Sequence, residues 1–124
     1  GAKVVLLGRN VEVGTSLEKD IKQKGGDCMF LTSDVMNREV LEQNLSDILN
    51  RYGKVDALIN AAGGNMPGAN ISPTGTLFDL KIDDFQKVLE LNLLGTVLPT
   101  QVFLKPMSEQ KRGCIVMKCP PKVR

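Results

Sequence analysis

Apolar positions follow two different periods along this chain. Short, uninterrupted apolar runs rich in β-branched residues are typical of strands that are buried on both faces of a sheet. Four segments have this pattern, and they predict strands at residues 3–8, 28–35, 55–62 and 113–118.

Between the strands, apolar residues recur every three or four positions, a period that is typical of amphipathic helices. Val13, Leu17 and Ile21 form the first such stripe, and Gly25 and Gly26 follow it as stop signals. The first predicted helix is residues 13–24, and the second runs from the capping residue Asn37 to about Tyr52. The third begins at the capping residue Asp83 and is kinked or broken at Pro99.

The alternation of strands and helices predicts an α/β fold, a Rossmann-like doubly wound parallel sheet with helices on its faces. Residues 1–124 form one domain in this interpretation, with residues 65–76 as an irregular loop. In parallel sheets, ligands bind beyond the carboxyl ends of the strands. The candidate binding residues are therefore those that follow strands, at positions 8–10, 33–35 and 60–65 and in the tail after Lys118.

Composition narrows the class of protein. The chain has 124 residues, of which 42% are hydrophobic and 24% charged, and this is typical of a single soluble globular domain. A net charge of +2 is too small to indicate nucleic acid or an anionic membrane as a partner, and no apolar run approaches the roughly 18 residues of a spanning helix. We therefore expect a cytoplasmic protein. Three cysteines at irregular spacing and no histidine predict neither a disulfide framework nor a metal site.

Three motifs carry a family resemblance. The stretch LINAAGG at residues 58–64 resembles the Asn-Asn-Ala-Gly stretch of the short-chain dehydrogenase/reductase family, with Ala61 in place of the second Asn. SDV at residues 33–35 resembles the acidic pair that ends the family's third strand, and LELNLLGT resembles the helix that carries the family's structural and catalytic Asn, here Asn92. The chain is identified as a member of this family, and it is most similar to the D-mannonate oxidoreductase, or fructuronate reductase, type.

The resemblance implies a dinucleotide cofactor, NADP or NAD. Arg9 follows the first strand at the place where a carboxylate would bind the ribose of NAD, so it is implied to bind the 2′-phosphate of NADP. The alternative is a solvated surface Arg. Asp34 and Val35 are implied to contact the adenine, or alternatively Asp34 opens the following helix at the positive end of its dipole.

The same resemblance assigns roles to residues after the third predicted strand. Asn60, Ala61, Ala62 and Gly63 are implied to let the ribose lie against the backbone, and the alternative is a turn that needs small residues. Asn92 is implied to hold a water in a proton relay, although an Asn within an apolar helix is more often a packing or bending residue.

The family also has motifs that this sequence does not show. No Thr-Gly-x-x-x-Gly-x-Gly turn precedes Gly1, Cys119-Pro120 stand at the family's Ser position, and no Tyr-x-x-x-Lys pair is present. We therefore expect an incomplete sheet, without the first strand and its glycine-rich loop and without the C-terminal part. Two strand pairs would remain on either side of a gap, unless the two inner strands pair directly.

Three functions are compatible with these observations. The first is part of an NAD(P)-dependent oxidoreductase that transfers hydride between nicotinamide and a sugar-acid alcohol or carbonyl, such as D-mannonate or fructuronate. The second is a catalytically inactive remnant, which the change from a good strand to CPPKVR favours. The third is a non-catalytic module that pairs an open strand edge with a partner. We expect the complete enzyme to be a homo-oligomer with a small-molecule substrate.

Overall fold

Residues 1–118 are described by a computed structural model, in which the chain forms two compact units. The first unit comprises Gly1–Lys54, and the second begins at Val55. Cys119 and Pro120, at the family's Ser position, lie outside the described residues. Within the described range, no helix combines the length and the apolar character that crossing a bilayer requires.

The first unit consists of two parallel strands, each followed by a helix. Its elements are strand β1 (Lys3–Gly8), helix α1 (Val11–Gln23), strand β2 (Asp27–Thr32) and helix α2 (Arg38–Tyr52). The strands pair in register from Lys3 opposite Asp27 to Gly8 opposite Thr32. The buried apolar side chains of this unit are Cys28, Leu41 and Ile48.

Local sequence sets the ends of both helices. The side-chain oxygens of Asn10 and Asn37 accept hydrogen bonds from the backbone N–H groups of Val13 (3.0 Å) and Val40 (3.2 Å). Each bond satisfies a donor that the first helical turn leaves unpaired. Helix α2 is followed by Gly53, whose φ of 75° favours a residue without a Cβ atom. The predicted cap and end of α2 are confirmed.

The second unit also contains two parallel strands. Its elements are strand β3 (Ala57–Asn60), two short 3₁₀ turns (Pro67–Ala69 and Leu77–Asp79), helix α3 (Ile82–Leu89), a π-helical turn (Glu90–Leu94), helix α4 (Gly95–Glu109) and strand β4 (Cys114–Met117). The strands pair from Ala57 opposite Cys114 to Asn60 opposite Met117. Among the described residues of this unit, the buried apolar side chains are Val55, Pro99, Val102, Phe103, Pro106 and Met107.

The third predicted helix differs from the structure at its start and at its interruption. It begins at Ile82 after Lys81, which makes no side-chain cap, so the predicted cap at Asp83 was wrong. Asp83 lies in the first turn instead, where its carboxylate favours the positive end of the helix dipole. The interruption is the π-helical turn and not Pro99, which is buried within α4. As the fifth residue of α4, Pro99 removes only the hydrogen bond to the Gly95 carbonyl, next to a turn that is already widened.

Strands β2 and β3 are shorter than the sequence predicts at their carboxyl ends. Strand β2 ends at Thr32 rather than Val35, and β3 ends at Asn60 rather than Ala62. Within residues 1–118 the strands form two two-stranded parallel sheets, β1–β2 and β3–β4. The Rossmann-like α/β fold is confirmed, and the strands pair as expected, the first with the second and the third with the fourth.

Candidate functional site

Asn92 connects the π-helical turn to the chain that follows β3. Its side-chain nitrogen Nδ2 donates to the carbonyl oxygens of Gly64 (2.8 Å) and Val88 (2.7 Å). Its oxygen Oδ1 accepts from the backbone N–H of Gly64 at 3.3 Å. Both amide protons of Asn92 are therefore used, and two of its three bonds hold the backbone of a single residue.

Asn60 is held at the other end of the same stretch. It is the last residue of β3 and is only 8% exposed. Its Nδ2 donates to the hydroxyl oxygen of Thr100 in α4 at 3.0 Å and lies 3.8 Å from the sulfur of Met117. The backbone of Asn60 is tied as well, because its carbonyl accepts from Lys118 N at 2.9 Å. We call residues 60–64 the strand-end segment.

Two threonines of α4 were not among the residues singled out from the sequence, and only Thr100 contacts the segment. Thr100 Oγ1 donates to the carbonyl of Thr96 (2.7 Å), and Thr96 Oγ1 donates to the carbonyl of Asn92 (3.1 Å). Asn92, Thr96 and Thr100 follow one another at intervals of four residues, so they share one face of the helix. This polar stripe within an apolar helix is the sequence signal that could have identified them.

The small residues of the strand-end segment are exposed, as a surface for a ligand requires. Ala61, Ala62, Gly63 and Gly64 all have exposed positions after β3. A Cβ atom at Gly63 would lie 2.6 Å from Asn92 Oδ1, whereas at Gly64 the nearest atom would be Leu91 Cδ2 at an ordinary 3.5 Å. A side chain at Gly63 would therefore require Asn92 or the segment to shift.

In the first unit, Arg9 follows β1 directly and is exposed to solvent. Asp34 and Val35 are half-buried in the turn between β2 and α2. Asp34 Oδ1 accepts from Met36 N at 2.9 Å, and the carbonyl of Asp34 accepts from Asn37 N at 3.0 Å. The alternative in which Asp34 opens the helix is wrong, because Asn37 occupies the capping position. A carboxylate can accept several hydrogen bonds, so Asp34 retains capacity for a ligand.

The candidate site residues form two groups, and each group lies within one of the two units. The first unit carries Arg9, Asp34 and Val35, and the second carries Asn60 to Gly63 together with Asn92. Across residues 1–118, no three His, Cys, Asp or Glu side chains are grouped so that they could hold a metal ion. The chemistry of both groups is that of hydrogen bonding and close backbone approach.

Comparison with known proteins agrees with this arrangement. The family model described as short chain dehydrogenase matches residues 1–119. The uncharacterised oxidoreductase UxuB of Bacillus subtilis is 35% identical over 124 residues, which cover 94% of this chain and 45% of that protein. The chain therefore spans less than half the length of this curated relative.

Two solved structures are similar to the chain. A proposed D-mannonate oxidoreductase from Haemophilus influenzae with bound NAD is 36% identical, with a TM-score of 0.77, over 86% of this chain and 41% of that chain. A metagenomic short-chain oxidoreductase in complex with NADP is 27% identical, with a TM-score of 0.78, over 94% of this chain and 50% of that chain. With a family match over nearly its whole length, the chain belongs to the short-chain dehydrogenase family.

Proposed function

We propose that this chain is the nucleotide-binding part of an NAD(P)-dependent oxidoreductase that transfers hydride between nicotinamide and a small-molecule alcohol or carbonyl. The observation that carries the proposal is the strand-end segment, whose small, exposed residues are held in place by Asn60 and Asn92. A backbone surface of this kind, beyond the carboxyl end of a parallel strand, is where dinucleotides bind in α/β sheets. Its rigidity favours binding because little conformational freedom is left to lose.

Each unit has a proposed part in cofactor binding. In the first, the exposed guanidinium of Arg9 binds the 2′-phosphate of NADP, and Asp34 with the backbone of Val35 binds the adenine. In the second, Ala61, Ala62 and Gly63 lie against the ribose. Similar structures contain NAD in one case and NADP in another, and the positive charge at Arg9 favours NADP for this chain.

Asn92 is proposed to position the strand-end segment in addition to the proton relay that the family resemblance implies. Its amide protons are both donated, to Gly64 and Val88, and its oxygen accepts from Gly64. A side chain that makes these three hydrogen bonds is suited to holding the backbone of the strand-end segment in one conformation. The proton relay would then pass next to the Asn92 side chain without using its amide protons.

The proposed substrate is a sugar acid such as D-mannonate or fructuronate. The likeness to the proposed D-mannonate oxidoreductase, at 36% identity, supports this choice. A cytoplasmic location and a homo-oligomeric complete enzyme also belong to the proposal. The enzyme that contains this chain should oxidise NADPH with fructuronate, and fructose, which lacks the carboxylate, is the matched control. Equal rates with the two sugars would contradict a sugar-acid substrate.

Nucleotide binding is tested on the chain itself. NADPH and NADH are titrated into residues 1–124, and binding is followed by cofactor fluorescence and by the backbone amide signals of Asp34, Gly63 and Gly64 in NMR spectra. We expect saturable binding that shifts these three signals and is competed by adenosine 2′,5′-bisphosphate. If neither NADPH nor NADH shows saturable binding at millimolar concentrations, the proposal is contradicted.

A further inference from the structure

The strand-end segment is attached to one continuous helical region at both of its ends. Asn60 is bonded to Thr100, and Gly64 is bonded to Asn92, so the segment runs opposite to the direction of the helix. Asn92 and Thr100 are eight residue steps apart in the helical region, which corresponds to about 12 Å along the axis at the α-helical rise. The four residue steps from 60 to 64 span at most about 13–14 Å when extended. Both ends of the segment are therefore tied to the same helical region.

The direction of the hydrogen bond at Thr100 is determined by the helix. A hydroxyl has one proton, and Thr100 donates it to the carbonyl of Thr96 at 2.7 Å. Thr100 Oγ1 can therefore only accept at its other contact, and the group that it faces there must be the NH₂ of Asn60, at 3.0 Å. This fixes which end of the Asn60 carboxamide faces α4 and turns its oxygen away from Thr100.

We infer that Thr100 is a positioning residue for the cofactor: its hydroxyl orients the carboxamide of Asn60 and thereby holds the strand-end segment in the conformation that receives the ribose. The inference rests on the proposed nucleotide-binding function and adds to it a residue that does not touch the ligand. Asn60 is 8% exposed, and the other acceptor beside its Nδ2 is the Met117 sulfur at 3.8 Å, which is a weak acceptor. Without Thr100, a buried donor would lose its one strong acceptor among these contacts.

The inference is tested with three variants of the chain. Thr100→Val keeps the shape of the side chain and removes the hydroxyl, and Thr100→Ser keeps the hydroxyl. Thr96→Val is the matched control, because its hydroxyl donates to Asn92 O, within the helical region, and bonds to no residue of the strand-end segment. The probes are NADPH and NADH titrations and the NMR signals of the Asn60 NH₂ group and the Gly63 and Gly64 amides.

We expect Thr100→Val to bind cofactor about tenfold more weakly and to shift the Asn60, Gly63 and Gly64 signals even without cofactor. Thr100→Ser should restore both readouts, which loss of packing alone would not explain. The inference is overturned if Thr100→Val leaves these signals and the affinity unchanged, or if Thr96→Val lowers the affinity equally.

The NMR signals are measured without cofactor, so they separate two kinds of failure. If the wild-type chain binds neither cofactor but Thr100→Val still shifts the three signals, then the proposed function fails while the hydrogen bond keeps its structural effect. If the wild-type chain binds cofactor and Thr100→Val binds it equally well, then Thr100 fails as a positioning residue and the proposed function stands.

Discussion

The carboxamide of Asn92 forms two hydrogen bonds with the backbone N–H and C=O of Gly64, 28 residues away in the sequence. Nδ2 donates to the carbonyl at 2.8 Å, and Oδ1 accepts from the N–H at 3.3 Å. The side chain thus pairs with Gly64 as a neighbouring strand would, at a point where β3 has already ended. The π-helical turn that contains Asn92 presents this carboxamide to the segment.

Replacing Asn92 by Leu should free the backbone of Gly64. The change keeps the size of the side chain and removes both hydrogen bonds, each worth about 0.5–1.5 kcal/mol net. Hydrogen exchange of the Gly64 amide, followed by NMR, should become at least about tenfold faster. Asn50→Leu, at an exposed helical position in the first unit, is the control. Unchanged exchange at Gly64 in Asn92→Leu would contradict the pairing.

The two glycines of the strand-end segment should respond differently to alanine. A Cβ at Gly63 would meet Asn92 Oδ1 at 2.6 Å, so Gly63→Ala must displace the Asn92 side chain or the segment. Gly64→Ala meets nothing closer than 3.5 Å and is the matched control. Neither glycine has a positive φ, so backbone strain does not distinguish them.

We expect Gly63→Ala to weaken NADPH binding by about 1–3 kcal/mol, the usual cost of overpacking, while Gly64→Ala stays within about 0.5 kcal/mol of wild type. Fluorescence titration of both variants measures the difference. Equal affinities would show that the approach of Gly63 to Asn92 does not matter for binding.

Tyr52 provides an optical probe of the first unit, because the chain has one Tyr and no Trp. Burial raises the pKa of Tyr52 above its ordinary value of 10.0, and the hydrogen bond from its hydroxyl to Asp27 Oδ1 (2.8 Å) raises it further. Tyrosinate absorbance should therefore have its midpoint above pH 10.0. Stability from this group is fully present below the unfolded-state pKa and is lost as pH rises through the folded-state pKa.

Asp27→Asn should lower the pKa of Tyr52, because it removes a charged hydrogen-bond acceptor and its negative charge. The midpoint should not return fully to the ordinary value, since burial remains the largest cause of the shift. Asp47→Asn is the control, because Asp47 bonds to Gln43 and not to Tyr52. A Tyr52 midpoint that is the same in wild type and Asp27→Asn would contradict the structure.

The same pair predicts behaviour in acid. Hydrogen bonds from Tyr52 and from Arg51 (3.1 Å) lower the pKa of Asp27 below its ordinary value of 3.8. A lowered folded-state pKa gives stability that is present above the unfolded-state pKa and lost as pH falls through the folded-state value. As the pH is lowered below 3.8, the denaturant concentration at the midpoint of unfolding should decrease more steeply for wild type than for Asp27→Asn. If the stability of both proteins depends on pH in the same way in acid, the Asp27 carboxylate does not contribute to this loss of stability.

Cofactor choice should depend on the residues that follow β1. Gly8→Asp with Arg9→Leu replaces a group that binds the 2′-phosphate by one that repels it, so preference should move from NADP towards NAD by about 1–3 kcal/mol. The ratio of the dissociation constants for NADPH and NADH measures this preference. Arg112→Leu, an exposed Arg in the second unit, controls for the loss of positive charge. An unchanged ratio would remove Arg9 from the site.

Local sequence was sufficient for most of the elements. The bounds of β1 and the cap and end of α2 agree with the pattern, because hydrophobic period, the Asn37 side chain and the left-handed Gly53 all act within a few residues. The strand-end motif, together with SDV and LELNLLGT, likewise predicted the family, which the match over residues 1–119 confirms.

Only the tertiary structure decided which groups the polar side chains would bind. Asn60 bonds to Thr100, 40 residues away, and Asn92 bonds to Gly64, 28 residues away. The interruption of the third helix at Asn92 and not at Pro99 was also hidden from a local pattern. A carboxamide can donate and accept hydrogen bonds in any fold, so the sequence shows which hydrogen bonds it is able to make. Its partner depends on which backbone the folded chain brings within about 3 Å, and that is set by packing between distant segments.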